Sequence, residues 1–454
     1  MGHTMIDSAL FRNFCGTERA REIWSDENML TKWFEFWGAL AQAEEEMDIV
    51  PAGTAAELRK WGKVEYFDLD EIREQIEETT HPCIPVIWKL EKLCANGLGK
   101  WTHWGATLQD LTDTAFVLQT RESSYYMEEV LVGLIKRCME LAKEYRDTPM
   151  IGRTHQMHAV PLTFGEKCAI YADELSRSLE RMRECRKRVL KAEFFGAAGT
   201  LASVYIDGYD GLAIQKRLAE ILGLAQPTAP WHTAQDTFAE YACMLNVLAA
   251  SCSRICFDLQ GMHKQELGEI EEDFPHGRLG SSTMPQKRNP DNYETVIGMA
   301  WTVNSLTNTA IQCQHGQHER CTAVMMSNWF YMPEIHIVTS FILETTKWLM
   351  DTIHVYPERM LRNIAYTRGG TMGEAMMIEL GHKIGRMDAH AVVYDAAMKS
   401  YEEERDMEDV LLEDERVTSV FSKEEVHNIL NPLNYLGCAP IVVDNVCERV
   451  GKML

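Results

Sequence analysis

The sequence has 454 residues, of which 46% are apolar and 25% are charged, a balance typical of a soluble globular protein with a large core. Its 68 acidic side chains outnumber the 45 basic ones, which gives a net charge of -23 at pH 7. Nucleic acid or an anionic membrane would therefore be repelled overall, and we expect neither as a partner. An anionic substrate has to be met by a local basic pocket.

Membrane and secretion signals are missing from the sequence pattern. No run of about 18 uncharged apolar residues predicts a membrane span, and residues 1–14 lack the basic-then-apolar pattern of a secretion signal. The 13 cysteines are odd in number, and several lie in apolar helical stretches, such as Cys243, Cys252 and Cys256. This usage favours buried reduced thiols over a disulfide framework, so we expect a cytoplasmic protein.

The predicted elements change in character along the chain. Up to about residue 110, short helical patterns are interrupted by proline and glycine. Proline interrupts helices, and the middle of the chain leaves long intervals without it, namely 86–148, 162–226, 231–274 and 291–332. Within these intervals apolar residues recur with three-and-four spacing, which predicts long helices over 111–145, 164–179 and 238–262. After about residue 351, short helical patterns return around several glycines.

Several long helices with few strand signals predict an all-α fold built around a bundle. We therefore divide the chain into an N-terminal helical domain, a central long-helix bundle domain and a C-terminal helical domain, with the bounds 1–110, 111–350 and 351–454.

The most unusual segment is residues 280–290, which read Gly-Ser-Ser-Thr-Met-Pro-Gln-Lys-Arg-Asn-Pro. Glycine and hydroxyl residues predict a loop, and Asn289-Pro290 predicts the start of a helix, with Glu294 just after its first turn. Backbone donors, Lys287 and a helix N-terminus together suit an anion. Taken alone, the segment is equally well explained as a surface turn before a helix.

This loop resembles the signature loop of the fumarase/aspartase superfamily, which includes adenylosuccinate lyase, argininosuccinate lyase and 3-carboxy-cis,cis-muconate cycloisomerase. Residues 104–110, Trp-Gly-Ala-Thr-Leu-Gln-Asp, resemble the first family motif, and residues 152–158, Gly-Arg-Thr-His-Gln-Met-His, resemble the second. The resemblance extends over nearly the whole chain, from residues 23–28 to residues 385–390. Three spaced motifs in the family's order are not expected to match by chance.

The resemblance implies a three-domain all-α fold and a homotetramer whose long helices form a shared core. Each active site would be built from motifs on three different subunits. The implied reaction is an anti elimination on a small polycarboxylate, begun by removing a proton from the carbon next to a carboxylate. The resulting dianionic aci-carboxylate needs preorganised donors.

Roles for individual residues follow from their positions in the motifs. Ser281 resembles the base, with its hydroxyl ionised by loop amides, Lys287 and the helix dipole. His155 resembles the general acid that protonates the leaving group, and Glu294 resembles the carboxylate that orients it. Lys287 would hold a substrate carboxylate and its aci form. The other implied substrate contacts are Thr107, Gln109, Thr154, Asn289, His81, His103, Ser282, Arg320 and Gln235.

Two of these assignments have a plainer alternative. His81 and His103 match histidines of the adenylosuccinate lyase branch, where they would line the leaving-group side. A lone histidine is, however, often a structural residue with satisfied hydrogen bonds.

A zinc site is a rival interpretation of Cys313, His315, His318 and Cys321. The spacings are tighter than the usual zinc-finger patterns. In the family the same stretch is a substrate loop with a Glu-Arg pair, here Glu319-Arg320, whose guanidinium can bind a carboxylate through two hydrogen bonds. We therefore predict no metal and no cofactor.

The sequence departs from the family pattern at several places. Leu108 stands where the family usually has serine, and Gln235 stands where the cycloisomerase branch usually has arginine. After the Glu-Arg pair, adenylosuccinate lyases typically continue with serines and a second arginine that hold a nucleotide phosphate. Here the corresponding positions are mostly apolar: Ala323, Val324, Met325, Met326 and Trp329. Residues 230–233 and 385–386, with Trp329, instead resemble the cycloisomerase branch.

The leading hypothesis is a lyase that cleaves a C–N bond in an N-succinyl-type compound and releases fumarate. The alternative is a 3-carboxy-cis,cis-muconate cycloisomerase, in which the same site closes or opens a lactone. A second alternative is a non-catalytic homologue with a structural role, although intact Ser281, His155, Lys287 and Glu294 argue against it.

Overall fold

The computed structural model describes residues 4–454, and it is mostly helical. The first part of the chain contains α1 (Glu18–Ile23), α2 (Asp26–Glu45), α3 (Thr54–Trp61), α4 (Leu69–Thr79) and α5 (Ile84–Leu93), of which all but the 20-residue α2 are short. The middle of the chain contains α6 (Leu108–Glu144), β1 (Pro149–Thr154), β2 (Met157–Thr163), α7 (Phe164–Val189), α8 (Ala202–Tyr205), α9 (Gly211–Leu222), α10 (Asp236–His263), β3 (Ile270–Glu271), α11 (Asp291–Gln312), α12 (Thr322–Thr352) and β4 (His354–Val355). The last part contains α13 (Pro357–Ile364), α14 (Gly373–Ile384), α15 (Arg386–Glu403), α16 (Met407–Leu411), α17 (Glu415–Thr418), α18 (Lys423–Ile429) and α19 (Ala439–Met453). Short 3-10 helices lie at Arg12–Phe14, Val64–Tyr66, Ala95–Trp101, Cys313–His315, Ala365–Thr367, Gly370–Met372 and Pro432–Asn434.

The long helices predicted from apolar spacing are confirmed. Helix α6 covers nearly all of 111–145, α7 covers 164–179 and continues to Val189, and α10 covers 238–262. The helix predicted after Asn289-Pro290 begins at Asp291. Apolar periodicity therefore locates the helices that carry most of the core.

One proline does not mark a helix boundary. Pro333 lies inside α12, although a proline in a helix interior costs about 3 kcal/mol. Residues on both sides of it are buried, including Tyr331, Met332, Ile335 and Val338. Packing of both halves of α12 keeps the helix continuous, and the chain instead breaks between α11 and α12.

The chain forms two compact units, each assembled from three segments. Unit 1 consists of residues up to 130, 178–252 and 298–344, and unit 2 consists of residues 131–177, 253–297 and 345–454. Helices α6, α7, α10, α11 and α12 each contribute residues to both units. The division into domains at residues 110 and 350 stays a prediction.

Unit 1 is organised around α2, which packs against α3 and α9. Its first turn is capped by Ser25, whose hydroxyl accepts a hydrogen bond from the Asn28 amide at 3.2 Å. The buried face of α2 carries Trp33, Phe36 and Trp37. These large side chains supply much of the apolar area that stabilises this part of the unit.

Unit 2 contains the two small sheets. Strands β1 and β2 form an antiparallel hairpin, on which α13 packs, and β3 pairs with β4 through Ile270 and Val355. Helices α14 and α15 pack together over a separate apolar cluster of this unit. The sequence pattern did not predict either sheet.

Helix α10 is the one helix within residues 4–454 that is long and apolar enough, by length and composition, to cross a membrane. Of its most apolar window, 61% is buried inside the protein, as in the core helix of a soluble protein. None of the cysteines forms a disulfide in the described chain, and most of them are buried, in agreement with the prediction of reduced thiols.

Glu44 in α2 is a buried acid whose titration affects stability. Its side chain is fully buried, and neither carboxyl oxygen has a hydrogen-bond partner among the described residues. Burial alone raises its pKa to about 9. The folded protein therefore holds a proton on Glu44 that the unfolded chain, with a pKa near 4.5, releases. Stability is lost as pH rises from about 4.5 to about 9.

We expect Glu44→Gln to raise the free energy of unfolding by about 3 kcal/mol at pH 7 and by little at pH 5, because the amide, unlike the carboxylate of the unfolded chain, does not have to take up a proton on folding. Urea unfolding at both pH values measures the difference. Glu27→Gln is the matched control, since Glu27 lies on the same helix and is exposed. A gain from Glu44→Gln that is equal at pH 5 and pH 7 would contradict the proposed titration.

Candidate active site

The second motif forms the tip of the β1–β2 hairpin in unit 2. Thr154 pairs with Met157, so His155 and Gln156 are the two turn residues, with φ of 53° and 68°. A two-residue turn with positive φ at both positions strongly favours Asn-Gly, and each left-handed non-glycine residue costs roughly 1 kcal/mol or more. The hairpin thus presents His155 at an exposed, strained tip. Sequence patterns do not predict this turn, because it contains no glycine.

The stem of this hairpin is fixed by a buried ion pair. The Arg153 guanidinium donates two hydrogen bonds to the Glu269 carboxylate, at 2.6 and 2.9 Å. Glu269 is fully buried, and its Oε1 also accepts a hydrogen bond from the Asn363 amide at 3.0 Å. The residue directly before Thr154 and His155 is thereby anchored.

The signature loop, residues 280–290, surrounds the Ser281 hydroxyl with backbone donors. Ser281 Oγ accepts hydrogen bonds from the amides of Thr283, at 3.3 Å, and Met284, at 3.1 Å. Asn289 donates from Nδ2 to the Gly280 carbonyl oxygen at 2.7 Å and so closes the loop. Hydrogen bonds to an oxygen favour its ionised form. The loop geometry therefore suits a serine alkoxide.

A cleft in unit 2 borders the signature loop and is rich in basic groups. Lys287 is exposed and forms no ion pair within the described residues. The lining residues are Gln260, His263, Lys264, Gln265, Gly268, Ile270, Glu271, Gln286, Lys287, Arg288, Asn289, Pro290 and Arg359. A cleft with four Lys or Arg side chains attracts anions. The motif analysis missed Lys264 and Arg359, which lie outside the motifs.

Glu294 lies in the first turn of α11, where it accepts a hydrogen bond from Gln260 Nε2 at 2.8 Å. It is exposed, and it makes no hydrogen bond to His155 in the described chain. Thr154 and Ser282 are exposed as well. Within unit 2, the structure therefore brings Lys287 and Asn289 together in the lining of one cleft, on the loop that also carries Ser281, but it does not pair His155 with Glu294.

The first motif lies in unit 1, where Asp110 fixes its loop. Asp110 Oδ2 accepts hydrogen bonds from the amides of Thr107, at 2.9 Å, and Gly196, at 3.0 Å. Asp110 Oδ1 lies 2.9 Å from His232 Nε2 and accepts from the Phe195 amide at 3.0 Å. Asp110 is fully buried. The backbone at Thr107 is thus held by a buried carboxylate.

Gln109 and Gln235 lie inside this buried polar cluster. Gln109 Nε2 donates to Asp113 at 2.9 Å, and Gln235 accepts from Asn328 Nδ2 at 3.0 Å. Both glutamines are almost completely buried. Burial raises the pKa of Asp113 to about 7, and together with nearby carboxylates it raises the pKa of Glu193 to about 10. The structure engages both glutamines in internal hydrogen bonds, and their contact with substrate stays a prediction.

One group of possible metal-ligating atoms occurs in residues 4–454. It consists of Asp110, Glu193 and His232, whose ligand atoms lie within 4.8 Å of one another, and all three residues are buried. Since both Asp110 oxygens already accept backbone N–H groups, the arrangement is that of a hydrogen-bonded cluster. The four residues considered above as zinc ligands do not form such a group among the described residues: Cys313, His315, His318 and Cys321.

The remaining candidates also lie in unit 1. His103 Nδ1 accepts a hydrogen bond from Trp37 Nε1 at 3.0 Å, and burial lowers its pKa to about 4, so the ring is neutral near pH 7. His81 is half-buried, with Nδ1 3.8 Å from the Cys83 sulfur. Arg320 is exposed and donates to the Ala197 carbonyl oxygen at 2.9 Å. Its guanidinium therefore keeps donors for a ligand.

Comparisons with known proteins agree with these motifs. A family model described as "Lyase" matches residues 12–304, and one described as "Adenylosuccinate lyase C-terminus" matches residues 369–446. The chain is 35% identical to N-acetyl-S-(2-succino)cysteine lyase from Enterococcus italicus, covering 98% of this chain and 97% of that one. It is 36% identical to adenylosuccinate lyase from Methanocaldococcus jannaschii, covering 96% and 94%.

The fold is also similar to that of a solved enzyme. The crystal structure of 3-carboxy-cis,cis-muconate lactonizing enzyme from Pseudomonas putida superposes with a TM-score of 0.91 at 31% identity, covering 98% of this chain and 99% of that one. Sequence and structure thus both lead to one family, and the expectation of an enzyme is confirmed. The chain belongs to the fumarase/aspartase superfamily of lyases, in the branch that contains adenylosuccinate lyase and the carboxymuconate cycloisomerases.

Proposed function

We propose that this enzyme catalyses an anti elimination on a small succinyl-type polycarboxylate, cleaving a C–N bond and releasing fumarate. The observation that carries the proposal is the Ser281 hydroxyl, which accepts hydrogen bonds from two amides of the signature loop, the same loop whose residues 286–290 line the basic cleft. Ser281, as the alkoxide, takes the proton from the carbon next to a substrate carboxylate. The electron pair left behind forms the aci-carboxylate, then the new C=C bond, as the C–N bond breaks.

The carboxylate that gains charge in this step needs donors that are already in place. Lys287 supplies an ammonium group, and Asn289 keeps a second amide N–H after donating one to Gly280. Thr107, Thr154, Ser282 and Arg320 add hydroxyl or guanidinium donors from the other motifs. These groups stabilise the aci-carboxylate more than the ground state, because its charge is higher.

His155 gives its proton to the leaving nitrogen, and Glu294 orients the imidazole. These two residues are not hydrogen-bonded within the described chain, and the proposal brings them into one site by joining motifs from different subunits of a homotetramer. Large apolar side chains are exposed on the long helices, including Phe257 at 55%, Trp301 at 66% and Phe330 at 64%. Exposed apolar surface of this kind supports association through these helices.

Two alternative reactions are each supported by a relative of this chain. The relative from Enterococcus italicus, named as acting on N-acetyl-S-(2-succino)cysteine, favours sulfur as a possible leaving atom at the same site. The fit to the Pseudomonas putida lactonizing enzyme favours a cycloisomerase, in which a carboxylate oxygen replaces the leaving nitrogen.

A panel of N-succinyl, S-succinyl and carboxymuconate compounds tests the proposal. Each true elimination creates a conjugated acid, so ultraviolet absorbance and direct detection of fumarate report it. Fumarate release from an N-succinyl compound would support the leading proposal. Activity only with the S-succinyl or the muconate compound would replace it with the corresponding alternative, and inactivity of the folded protein with all three classes would overturn it.

We expect Lys287→Met to weaken substrate binding and to slow turnover, because the ammonium is proposed to neutralise the carboxylate in both states. Losing one charge-assisted contact costs roughly 1.5 to 3 kcal/mol, which is about 10- to 150-fold in affinity. Lys264→Met is the matched control, because Lys264 lines the same cleft but lies outside the motif. Calorimetric titration with substrate gives both affinities, and an unchanged affinity for Lys287→Met would contradict the assignment.

Shared active sites predict complementation between inactive variants. We expect mixtures of a His155→Ala protein and a Ser281→Ala protein, dissociated and reassembled, to regain part of the activity, because a hybrid can contain an intact site. Each variant reassembled alone is the control. A fully active monomer in sedimentation would exclude the shared site.

A further inference from the structure

Three glutamates on one short segment of unit 2 make ion pairs with three different parts of that unit. The segment is residues 269–272, which comprise β3 with one flanking residue on each side, and we call it the acidic strand. Strand β3 itself is held by β4, with Ile270 paired to Val355 and Glu271 paired to His354. The acidic strand lies outside the three motifs, and its glutamates carry no role in the proposed reaction.

The first glutamate, Glu269, holds the hairpin. Its carboxylate accepts two hydrogen bonds from the Arg153 guanidinium and one from the Asn363 side-chain amide, and it is fully buried. Only Thr154 separates Arg153 from His155, which lies in a left-handed turn that its residue type disfavours. A strained turn persists only where the surrounding structure holds it in place. The bidentate pair between Arg153 and Glu269 holds the strand residue that lies two positions before His155.

The second glutamate, Glu271, holds the signature loop. Its Oε1 accepts a hydrogen bond from Arg288 Nη1 at 2.7 Å, and its Oε2 accepts from the Tyr356 hydroxyl at 2.9 Å. Arg288 lies between Lys287 and Asn289 in the loop. Its guanidinium also lies over the ring of Phe274 at 5.3 Å, so the side chain has two contacts that orient it.

The third glutamate, Glu272, holds the residues on either side of that loop. It is buried and accepts a hydrogen bond from Arg278 Nη1 at 2.5 Å, just before the loop begins. It also accepts the backbone N–H of Asn292 at 3.3 Å, in the first turn of α11, and the Asn292 side-chain amide. The loop that carries Ser281 is therefore flanked on both sides by contacts to Glu272 and held near its C-terminal end, at Arg288, by Glu271.

We infer that the acidic strand is a positioning element, which holds the hairpin of His155 and the loop of Ser281 in the geometry that the reaction needs. The inference rests on the proposed function for the roles of His155 and Ser281. Glu269, Glu271 and Glu272 act through Arg153, Arg288 and Arg278, and none of the three has a role in the chemical steps proposed above. A misplacement of a reacting group by about 1 Å can cost about 100-fold in rate, so loss of an anchor should lower turnover more than binding.

Glu271→Gln is the cleanest test, because Glu271 is only partly buried and its loss leaves no isolated buried charge. We expect kcat to fall about 10- to 100-fold while KM changes by less than about 3-fold. Glu266→Gln is the matched control, as an exposed glutamate of the same turn region, and it should keep wild-type kcat. Arg288→Gln should give the same loss as Glu271→Gln, and the double variant should be no slower than either, because both remove one pair.

Arg153→Lys tests the hairpin anchor, since it keeps the charge opposite Glu269 and loses the bidentate geometry. Hydrogen–deuterium exchange gives a readout that does not depend on catalysis. Exchange should become faster at residues 153–158 in Arg153→Lys and at residues 281–288 in Glu271→Gln, each without the other segment changing.

The outcomes separate this inference from the proposed function. If Glu271→Gln and Arg153→Lys keep wild-type kcat, or if the two segments exchange as in the wild type, the positioning role is overturned. A wild-type enzyme without elimination activity would instead overturn the proposed function, while the exchange experiment would still report whether the acidic strand anchors the two segments.

Discussion

Ser281→Ala should lower turnover by about 100- to 10,000-fold while substrate affinity changes little, because a general base contributes about that much to rate and little to binding. In the structure, Ser281 Oγ is the acceptor for the Thr283 and Met284 amides, so the variant removes the oxygen those donors stabilise. Lys287 and Asn289 remain to bind the carboxylate. Steady-state kinetics give kcat, and calorimetric titration of the variant gives the affinity.

Thr283→Ala is the matched control for this prediction. Thr283 is exposed on the same loop, and its backbone amide still donates to Ser281 after the side chain is removed. Its turnover should stay close to that of the wild type. If Ser281→Ala itself keeps most of its turnover, another group takes the proton and the assignment of the base is wrong.

The long helices could be predicted because each one buries a continuous apolar stripe, as the spacing of Phe238, Leu245 and Cys252 in α10 illustrates. The β1–β2 hairpin could not be predicted in the same way. Its turn residues, His155 and Gln156, adopt positive φ without being Asn or Gly, so the turn lacks the usual sequence signal of a hairpin. Tertiary packing against α13 and the Arg153 ion pair override the local preference.

The motifs located the residues of the candidate site, but they gave no information about partners distant in sequence. The pair between Arg153 and Glu269 joins positions in different segments of unit 2, and neither residue's surroundings in the sequence indicate the other. The burial of individual motif residues could not be predicted from the sequence either. Gln109 lies inside a motif, yet its side chain is hydrogen-bonded in the polar interior of unit 1. A motif specifies residue types, whereas exposure and pairing depend on the packed structure.

The surface that follows Arg320 should make this enzyme a poor catalyst for adenylosuccinate. On the first turns of α12, Ala323 is exposed, Met326 is 57% exposed and Trp329 is half-buried. No Lys or Arg occurs between Arg320 and Lys347 in the sequence. A phosphate dianion placed against this surface would lose charge-assisted hydrogen bonds that are worth roughly 1.5 to 3 kcal/mol each. Two or three such losses would weaken binding by several orders of magnitude.

Steady-state assays with adenylosuccinate and with the matching nucleoside, which lacks the phosphate, test this expectation. If the enzyme has no phosphate site, removing the phosphate should change kcat/KM by less than about 3-fold, because the group contributes no binding energy to the transition state. A smaller succinyl compound with an apolar leaving group should be the better substrate, since the side chains of Met326 and Trp329 offer adaptable contact area. A kcat/KM for adenylosuccinate above about 10,000 per molar per second would contradict the prediction, because that value lies in the ordinary range for an enzyme and its own substrate. The phosphate would then have to be bound by basic groups elsewhere, because no Lys or Arg follows Arg320 before Lys347.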